Sequence, residues 1–494
     1  MEHLLEKLKL YSETDFYPYH MPGHKRNAFG ELPEDLYSID ITEIDGFDNL
    51  HQAEDVLKNL QEEAAELYGA EESFYLVNGS TCGILAAISA AVPEQGHILI
   101  TRNCHKAVYH AAYLRNLTIS YLYPEVVSEY DICDAIKPEQ VREALDRQTN
   151  VDAVLIVSPT YEGRIANVRE IASIVHERGI PLIVDEAHGA HLGFAEGFAQ
   201  NSCRCGADMV IHSVHKTLPA MTQTALLHVN GKLVNRDVLK RFLRIYQTSS
   251  PSYVLMSSID NALQYIQKQG TALFNAFKEQ FVKMCGTLTS CKQISCLCDD
   301  WNCQDVGKLV ISTKGTGLSG KELYTILRDE YHLQLEMAAE TYVLAMFTIN
   351  DMPEAYTRME EALLEIDARI QQTSYKVSNG STYDAIPMAK RVYPMKYAWD
   401  ADSEWVTIDE ALNRPVGEFV NLYPPGIPLL VPGECFTKEF ADRIQEAVRQ
   451  NLTVQGIQFN SVTDTFPVLQ NETAYKKQDV VGNCATQIMI KVLK

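Results

Sequence analysis

The feature that most restricts this chain is a series of short apolar runs, each ending in a polar loop and parted from the next by a helical stretch. Gly96–Ile100, Val151–Val157, Ile180–Val184 and Met209–Ile211 are too short for helices. With scarcely a polar residue inside them, they read as strands buried on both faces. Helices are predicted from Ala53 to Tyr68 with Gly69 as terminator, from Cys82 to Ala91, from the loop after Ile100 to about Arg115, and from Val168 to Arg178. Ser73–Val77 and Thr224–Val229 add two further strands. Strand and helix in alternation imply a mostly parallel sheet with helices on both faces, and such sheets bind ligands at the carboxyl ends of their strands. The loops at those ends become the candidates for function.

Composition narrows the class. At 494 residues the chain is long enough for two to four domains, and 46% apolar with 22% charged residues is a globular balance. A formal net charge of -22 argues against nucleic acid and anionic membrane surfaces as partners. No apolar run approaches a membrane span, and the charged Met1–Leu10 has no signal-peptide core, so a cytoplasmic location is expected. Twelve cysteines in so long a chain do not form a disulfide framework. Cys285, Cys291, Cys296, Cys298 and Cys303 cluster without a histidine or a zinc spacing, so they read as reduced thiols on a helix end and a following strand, and no metal is expected.

The remaining chain divides by composition. Residues 1–52 read as an N-terminal arm covering the site, with the turning segment Tyr17–Arg26 exposing His20, His24, Lys25 and Arg26. Residues 53–255 form the large domain, and 256–370 the first part of a smaller α+β domain. That part has a long helix to about Cys285, strands at Lys308–Ser312 and Tyr342–Thr348, and a helix near Lys321–Tyr331. Residues 371–390 are polar and read as a linker. In 391–494, Tyr423–Glu434 is too rich in proline for a helix or a central strand, and a helix covers Thr437–Gln450.

Lys216 alone reads as a solvated surface lysine. Its companions change that, because Ser80, Thr81, His105, Asp185, His188, Ser213 and His215 all lie just past predicted strands. Pyridoxal phosphate needs an amine for an imine, a carboxylate near its ring nitrogen, phosphate donors and a planar group against its ring. Lys216 supplies the amine, and Asp185 ends a buried strand. Ser80 and Thr81 at a helix N-terminus, with Ser213 and His215, suit a dianionic phosphate. His105 offers the planar group.

The blocks His20-Met-Pro-Gly-His-Lys25, Asn103-Cys-His-Lys106, Asp185-Glu-Ala-His188, Ser213-Val-His-Lys216 and Tyr423-Pro-Pro-Gly-Ile-Pro428 resemble the signatures of the bacterial ornithine/lysine/arginine decarboxylases. These are fold-type-I pyridoxal phosphate enzymes of the aspartate aminotransferase superfamily. The resemblance spans nearly the whole chain, in order. It resembles the shorter form, which lacks the N-terminal wing domain of the larger members. The implied fold is α/β: a large domain with a mostly parallel sheet covered by helices, plus a smaller α+β C-terminal domain.

Position by position, the resemblance implies that Lys216 bonds the cofactor and Asp185 faces its ring nitrogen. His105 stacks on the ring, and His188 lies beside it where larger members have Trp. Ser80, Thr81, Ser213 and His215 contact the phosphate. Thr248 or Ser249 of a partner subunit completes the phosphate site in a homodimer or higher assembly. The implied reaction takes a basic amino acid to agmatine, cadaverine or putrescine and CO2, with Lys216, His188 or His215 as the proton donor to Cα. The distal cation of the substrate needs a carboxylate. Glu336 is the first choice, and Asp40, Glu43, Asp45 and Asp48 are the others. Two readings compete: an aminotransferase or aldolase-type lyase on the same cofactor, and a non-catalytic regulatory homologue. No arginine sits in an obvious carboxylate clamp, which disfavours a transaminase; Lys216, Asp185 and His105 together disfavour the regulatory reading.

Overall fold

The computed structural model describes residues 15, 17–19, 48–298, 301, 303–372, 387–423, 426–461 and 486–494. They fall into two compact units, Met1–Ala385 and Ile386–Lys494.

The first unit is organised by a seven-stranded sheet: β1 (Glu72–Leu76), β2 (His97–Thr101), β3 (Thr118–Leu122), β4 (Ala153–Val157), β5 (Leu182–Asp185), β6 (Met209–His212) and β7 (Ala225–Val229). Their spatial order is β1-β7-β6-β5-β4-β2-β3. The apolar runs account for it. Ile98–Ile100, Val154–Ile156, Leu182–Val184 and Met209–Ile211 are fully buried, and each such Leu, Ile or Val contributes ~1.5–3 kcal/mol by leaving water.

Neighbours β3/β2, β2/β4, β4/β5 and β5/β6 pair in parallel, while β7 is antiparallel to both β6 and β1. Strand β7 is reversed for a simple reason. Only Ser213–Thr224 separates it from β6, with Lys216 in a single helical turn near its start and a loop after it. A parallel return usually runs through a crossover helix, and these twelve residues hold only the four-residue turn Val214–Thr217.

Helices α1 (Val56–Tyr68), α2 (Gly79–Ala91), α3 (Lys106–Arg115), α4 (Pro138–Arg147) and α5 (Val168–His176) connect the strands. Helix α2 starts at Gly79, so Ser80 and Thr81 lie inside its first turn rather than ahead of it. The edge strand β3 and helix α4 had no sequence forecast. Strand β3 mixes exposed, half-buried and buried positions, a weaker signal than a continuous apolar run. Past β6, where a loop was expected, Val214–Thr217 forms a single helical turn, α6.

After α7 (Arg236–Tyr246), the 36-residue helix α8 (Tyr253–Leu288) leads to an antiparallel four-stranded sheet. Its members are β8 (Ser295–Cys296), β9 (Lys308–Ser312), β10 (Met337–Ala338) and β11 (Tyr342–Met346). Helices α9 (Gly320–Glu330) and α10 (Pro353–Gln372) complete this part. Tyr17–Tyr19 pairs in parallel with Leu333–Leu335, so the N-terminal arm meets the chain just before Glu336.

The second unit holds two three-stranded antiparallel sheets and the amphipathic helix Lys438–Arg449, whose Phe440, Ala441, Ile444 and Ala447 are buried. Ile427–Leu430, with Pro428 in it, is an edge strand beside the central Val420–Tyr423, the placement that a missing N–H permits.

Candidate active site

Lys216, in the turn after β6, presents its Nζ to His188 Nε2 at 3.0 Å. His188 belongs to the loop after β5, and its other nitrogen, Nδ1, meets Lys308 Nζ at 2.8 Å. Lys308 opens β9 of the second sheet and is buried. The ring edge of Tyr161, in the loop after β4, packs on His188 with centroids 4.8 Å apart. The Tyr161 hydroxyl donates to Glu336 Oε1. Five chain segments thus meet at the carboxyl ends of β4, β5 and β6.

Asp185 is the last residue of β5 and is buried; its Oδ1 accepts the Ala187 N–H at 3.2 Å. Burial raises its pKa, and the Lys216 charge pulls it back. Burial lowers the pKa of Lys216, against the carboxylates of Asp185 and Glu336. His105, the N-cap of α3, accepts the Ala107 N–H on Nδ1 at 3.2 Å. Burial first, then Lys216, brings its pKa down to about 3. His215 donates from Nδ1 to the Thr224 carbonyl at 2.8 Å, and burial takes its pKa to about 4. These histidines are neutral at physiological pH, so their uncommitted nitrogens have defined roles.

The Ser213 hydroxyl bonds that of Ser80 at 2.8 Å, joining the end of β6 to the first turn of α2, and Thr81 stands exposed beside it. Thr248 is exposed and donates its N–H to Asn78 Oδ1 at 3.0 Å, at the cap of that helix. Ser80, Thr81, His105, Asp185, His188, Ser213, His215 and Lys216 therefore all stand at one end of the large sheet, with Thr248 at the same helix cap. Glu336 joins them through Tyr161. Glu43, Asp40, Asp45 and the His20–Arg26 block lie outside the described residues. Asp48 has a different occupation: its carboxylate accepts the N–H groups of Asn49, Glu54, Asp55 and Leu57, capping the entry to α1.

Two residues escaped the sequence reading: Lys308 and Tyr161. Lys308 had a signal, since a lysine heading the otherwise apolar Leu309–Ile311 is an odd start for a buried strand. Tyr161 had none beyond its place in a strand-end loop.

Residues 3–344 match the Orn/Lys/Arg decarboxylase major domain, and residues 387–452 match the C-terminal domain of the same enzymes. The chain belongs to the Orn/Lys/Arg decarboxylase family. The Bacillus subtilis protein YaaO, described as uncharacterized, is 34% identical, with 92% of this chain and 95% of that protein aligned. The arginine decarboxylase of Bacillus subtilis is 30% identical over 91% of this chain and 94% of its own length. Among solved structures, the Francisella novicida lysine decarboxylase LdcF shares the fold with a TM-score of 0.75 at 17% identity, covering 99% of this chain and 80% of that one. A pyridoxamine-pyruvate aminotransferase from Mesorhizobium loti shares it more distantly, with a TM-score of 0.51 at 15% identity over 64% of this chain and 84% of that one. The fold is that of the fold-type-I pyridoxal phosphate enzymes, as the resemblance implied. Among the described residues no helix is long and apolar enough to cross a membrane.

Proposed function

We propose that this decarboxylase-family chain removes the α-carboxylate of a basic amino acid, arginine ahead of lysine or ornithine, using pyridoxal phosphate bonded to Lys216. The observation that carries this reading is the contact of Lys216 with His188 beside the buried Asp185, at the carboxyl ends of the sheet. The preference for arginine rests on relatives named arginine decarboxylase that align over nine-tenths of the chain.

The residues present fit the cofactor. The bonded hydroxyl pair Ser80–Ser213, Thr81 and the first-turn amides of the 13-residue helix α2 form a donor set for a dianionic phosphate. His215, with Nδ1 held by a carbonyl, keeps Nε2 for the same group. Asp185 is the carboxylate for a protonated ring nitrogen, and the neutral His105 the planar group. Bound there, the cofactor supplies an electron sink for the pair left when CO2 departs.

The chain's own residues do the remainder. Lys216 and His188, 3.0 Å apart, pass a proton between them, so either delivers one to the carbon that loses CO2. Glu336, bonded to Tyr161 and bearing on both lysines, receives the distal cation of the substrate. Glu43 is its companion in this proposal, and Thr248 of a second copy completes the phosphate site in a cytoplasmic homodimer.

The test is incubation of the purified chain and cofactor with arginine, lysine and ornithine. Equal amounts of CO2 and amine, without keto acid, are expected. Keto acid without CO2 would transfer the chain to the aminotransferases.

A further inference from the structure

Lys308 is a costly residue to bury, and the fold makes room for it. Gly163, at φ +99°, passes so close that a Cβ there would lie 2.7 Å from Lys308 Cβ. Buried amines survive when they have a partner, and the partner here is His188 Nδ1. His188 therefore stands between two amines, Lys308 on Nδ1 and Lys216 on Nε2.

The bonding capacity of imidazole limits this trio. A neutral ring has one N–H and one lone pair. Burial and the two flanking lysines keep His188 neutral, with its pKa well below the usual histidine range. One lysine thus donates to the ring as an ammonium, and the other accepts from it as a free amine. Both cannot be charged against a single lone pair.

The two arrangements differ by a balanced proton shift. Lys216 gives its proton to His188 Nε2 while His188 Nδ1 gives its proton to Lys308 Nζ. One N–H bond is lost at Lys216 and one gained at Lys308; the ring stays neutral, and the trio keeps a single positive charge.

We propose that Lys308 is a positioning residue that holds this positive charge and, through His188, keeps Lys216 a neutral amine able to attack an aldehyde. The inference rests on the cofactor reading above. Surrounding charges set the balance. Asp185 and Glu336 bear on Lys216 and favour its ammonium, while Asp305, Glu336 and Glu162 bear on Lys308. His105, His215 and the Tyr161 ring edge complete the groups around His188. Lys308 Nζ also sits 5.5 Å from the Tyr161 ring centroid, where the ring face favours a cation. Without Lys308, burial alone opposes the pull of Asp185 and Glu336, and the balance at Lys216 shifts towards the ammonium.

The experiment follows cofactor capture rather than turnover. Cofactor-free chain is mixed with pyridoxal phosphate at a series of pH values, and the growth of bound-cofactor absorbance is timed. Lys308→Met should move the rate profile up by about one pH unit, slowing capture near neutrality ~tenfold. Lys308→Arg, a permanent cation, should restore the wild-type profile. Nitrogen NMR of labelled histidine in the cofactor-free wild-type chain gives a second readout that needs no variant to fold, with the His188 proton expected on Nε2. An unmoved profile in a folded Lys308→Met chain, or an Nδ1 proton in wild type, would overturn the proposal. A chain that captures no cofactor at any pH would instead sink the functional reading, leaving the NMR result to judge the tautomer.

Discussion

Two histidine-bridged chains of buried polar groups leave the loop after β5, from neighbouring stretches of sequence. One is Lys216–His188–Lys308. The other starts at Glu186, next to Asp185, whose Oε1 meets His212 Nε2 at 2.8 Å. His212 Nδ1 meets His228 Nε2 at 3.0 Å, and His228 Nδ1 meets Ser73 Oγ at 2.6 Å. Ser202 closes the far side, donating its N–H and its hydroxyl to Glu186 Oε2. Tyr68 packs on both histidine rings, 4.7 Å from each. This chain runs from β5 across β6 and β7 to β1, tying the reversed strand to its neighbours.

The chemical contents separate them. In the Glu186 chain every group is neutral and bonded at both ends: burial pushes the Glu186 carboxyl up to about 8 and His212 down to about 3, so the acid keeps its proton and donates it to His212. Its residues are all buried, so none is open to a substrate. The Lys216 chain has an amine at each end and one proton more than neutrality requires. A buried polar chain with no surplus proton is a brace; one with a mobile proton can do chemistry.

Substitutions at equivalent places should therefore break different properties. The largest effect is expected from Lys216→Ala, which should abolish bound-cofactor absorbance and lower kcat by at least ~10³-fold, with an unfolding temperature near that of wild type. Asp185→Asn comes next, at about 10²-fold or more in kcat, since a neutral amide holds a ring proton poorly. In the brace the readout moves to stability. Glu186→Ala strands the bonding groups of His212 and Ser202 and should cost about 3 kcal/mol or more in denaturant unfolding, whereas Glu186→Gln, which can both donate and accept, should cost about 1 kcal/mol or less.

The pH dependence sharpens the comparison further. A carboxyl with a raised folded pKa binds its proton where the unfolded chain has lost it, so the stability it contributes is full below about 4.5 and drains away as pH rises towards about 8. His212, lowered to about 3, acts in the opposite sense and removes stability as pH falls below about 6.5. Glu186→Gln should flatten the alkaline slope of the unfolding midpoint and leave the acid slope standing. The smallest effect belongs to Tyr161→Phe, which removes one bond to Glu336. A several-fold rise in KM with little change in kcat is expected, since about 1 kcal/mol of orientation is lost.

What the sequence disclosed follows from how each signal is encoded. Strands such as Leu182–Asp185 declare themselves by continuous apolar character, and the residues at their ends inherit a location from the sheet. That inheritance was enough to bring Lys216, Asp185, His188 and His105 onto one page. The direction of β7 was not legible from its own residues; it goes with a connection that holds no crossover helix. Lys308, Tyr161 and the pairing of Glu186 with His212 depend on contacts between segments 26 to 175 residues apart, which local pattern does not carry.

Two buried lysines meet one histidine, and only Lys216 is assigned the cofactor. Reductive trapping of the cofactor-loaded chain with borohydride, followed by peptide mapping, tests that choice directly. One phosphopyridoxyl group per chain is expected, on Lys216. A label on Lys308, or one scattered over surface lysines with Lys216 unmodified, would contradict it.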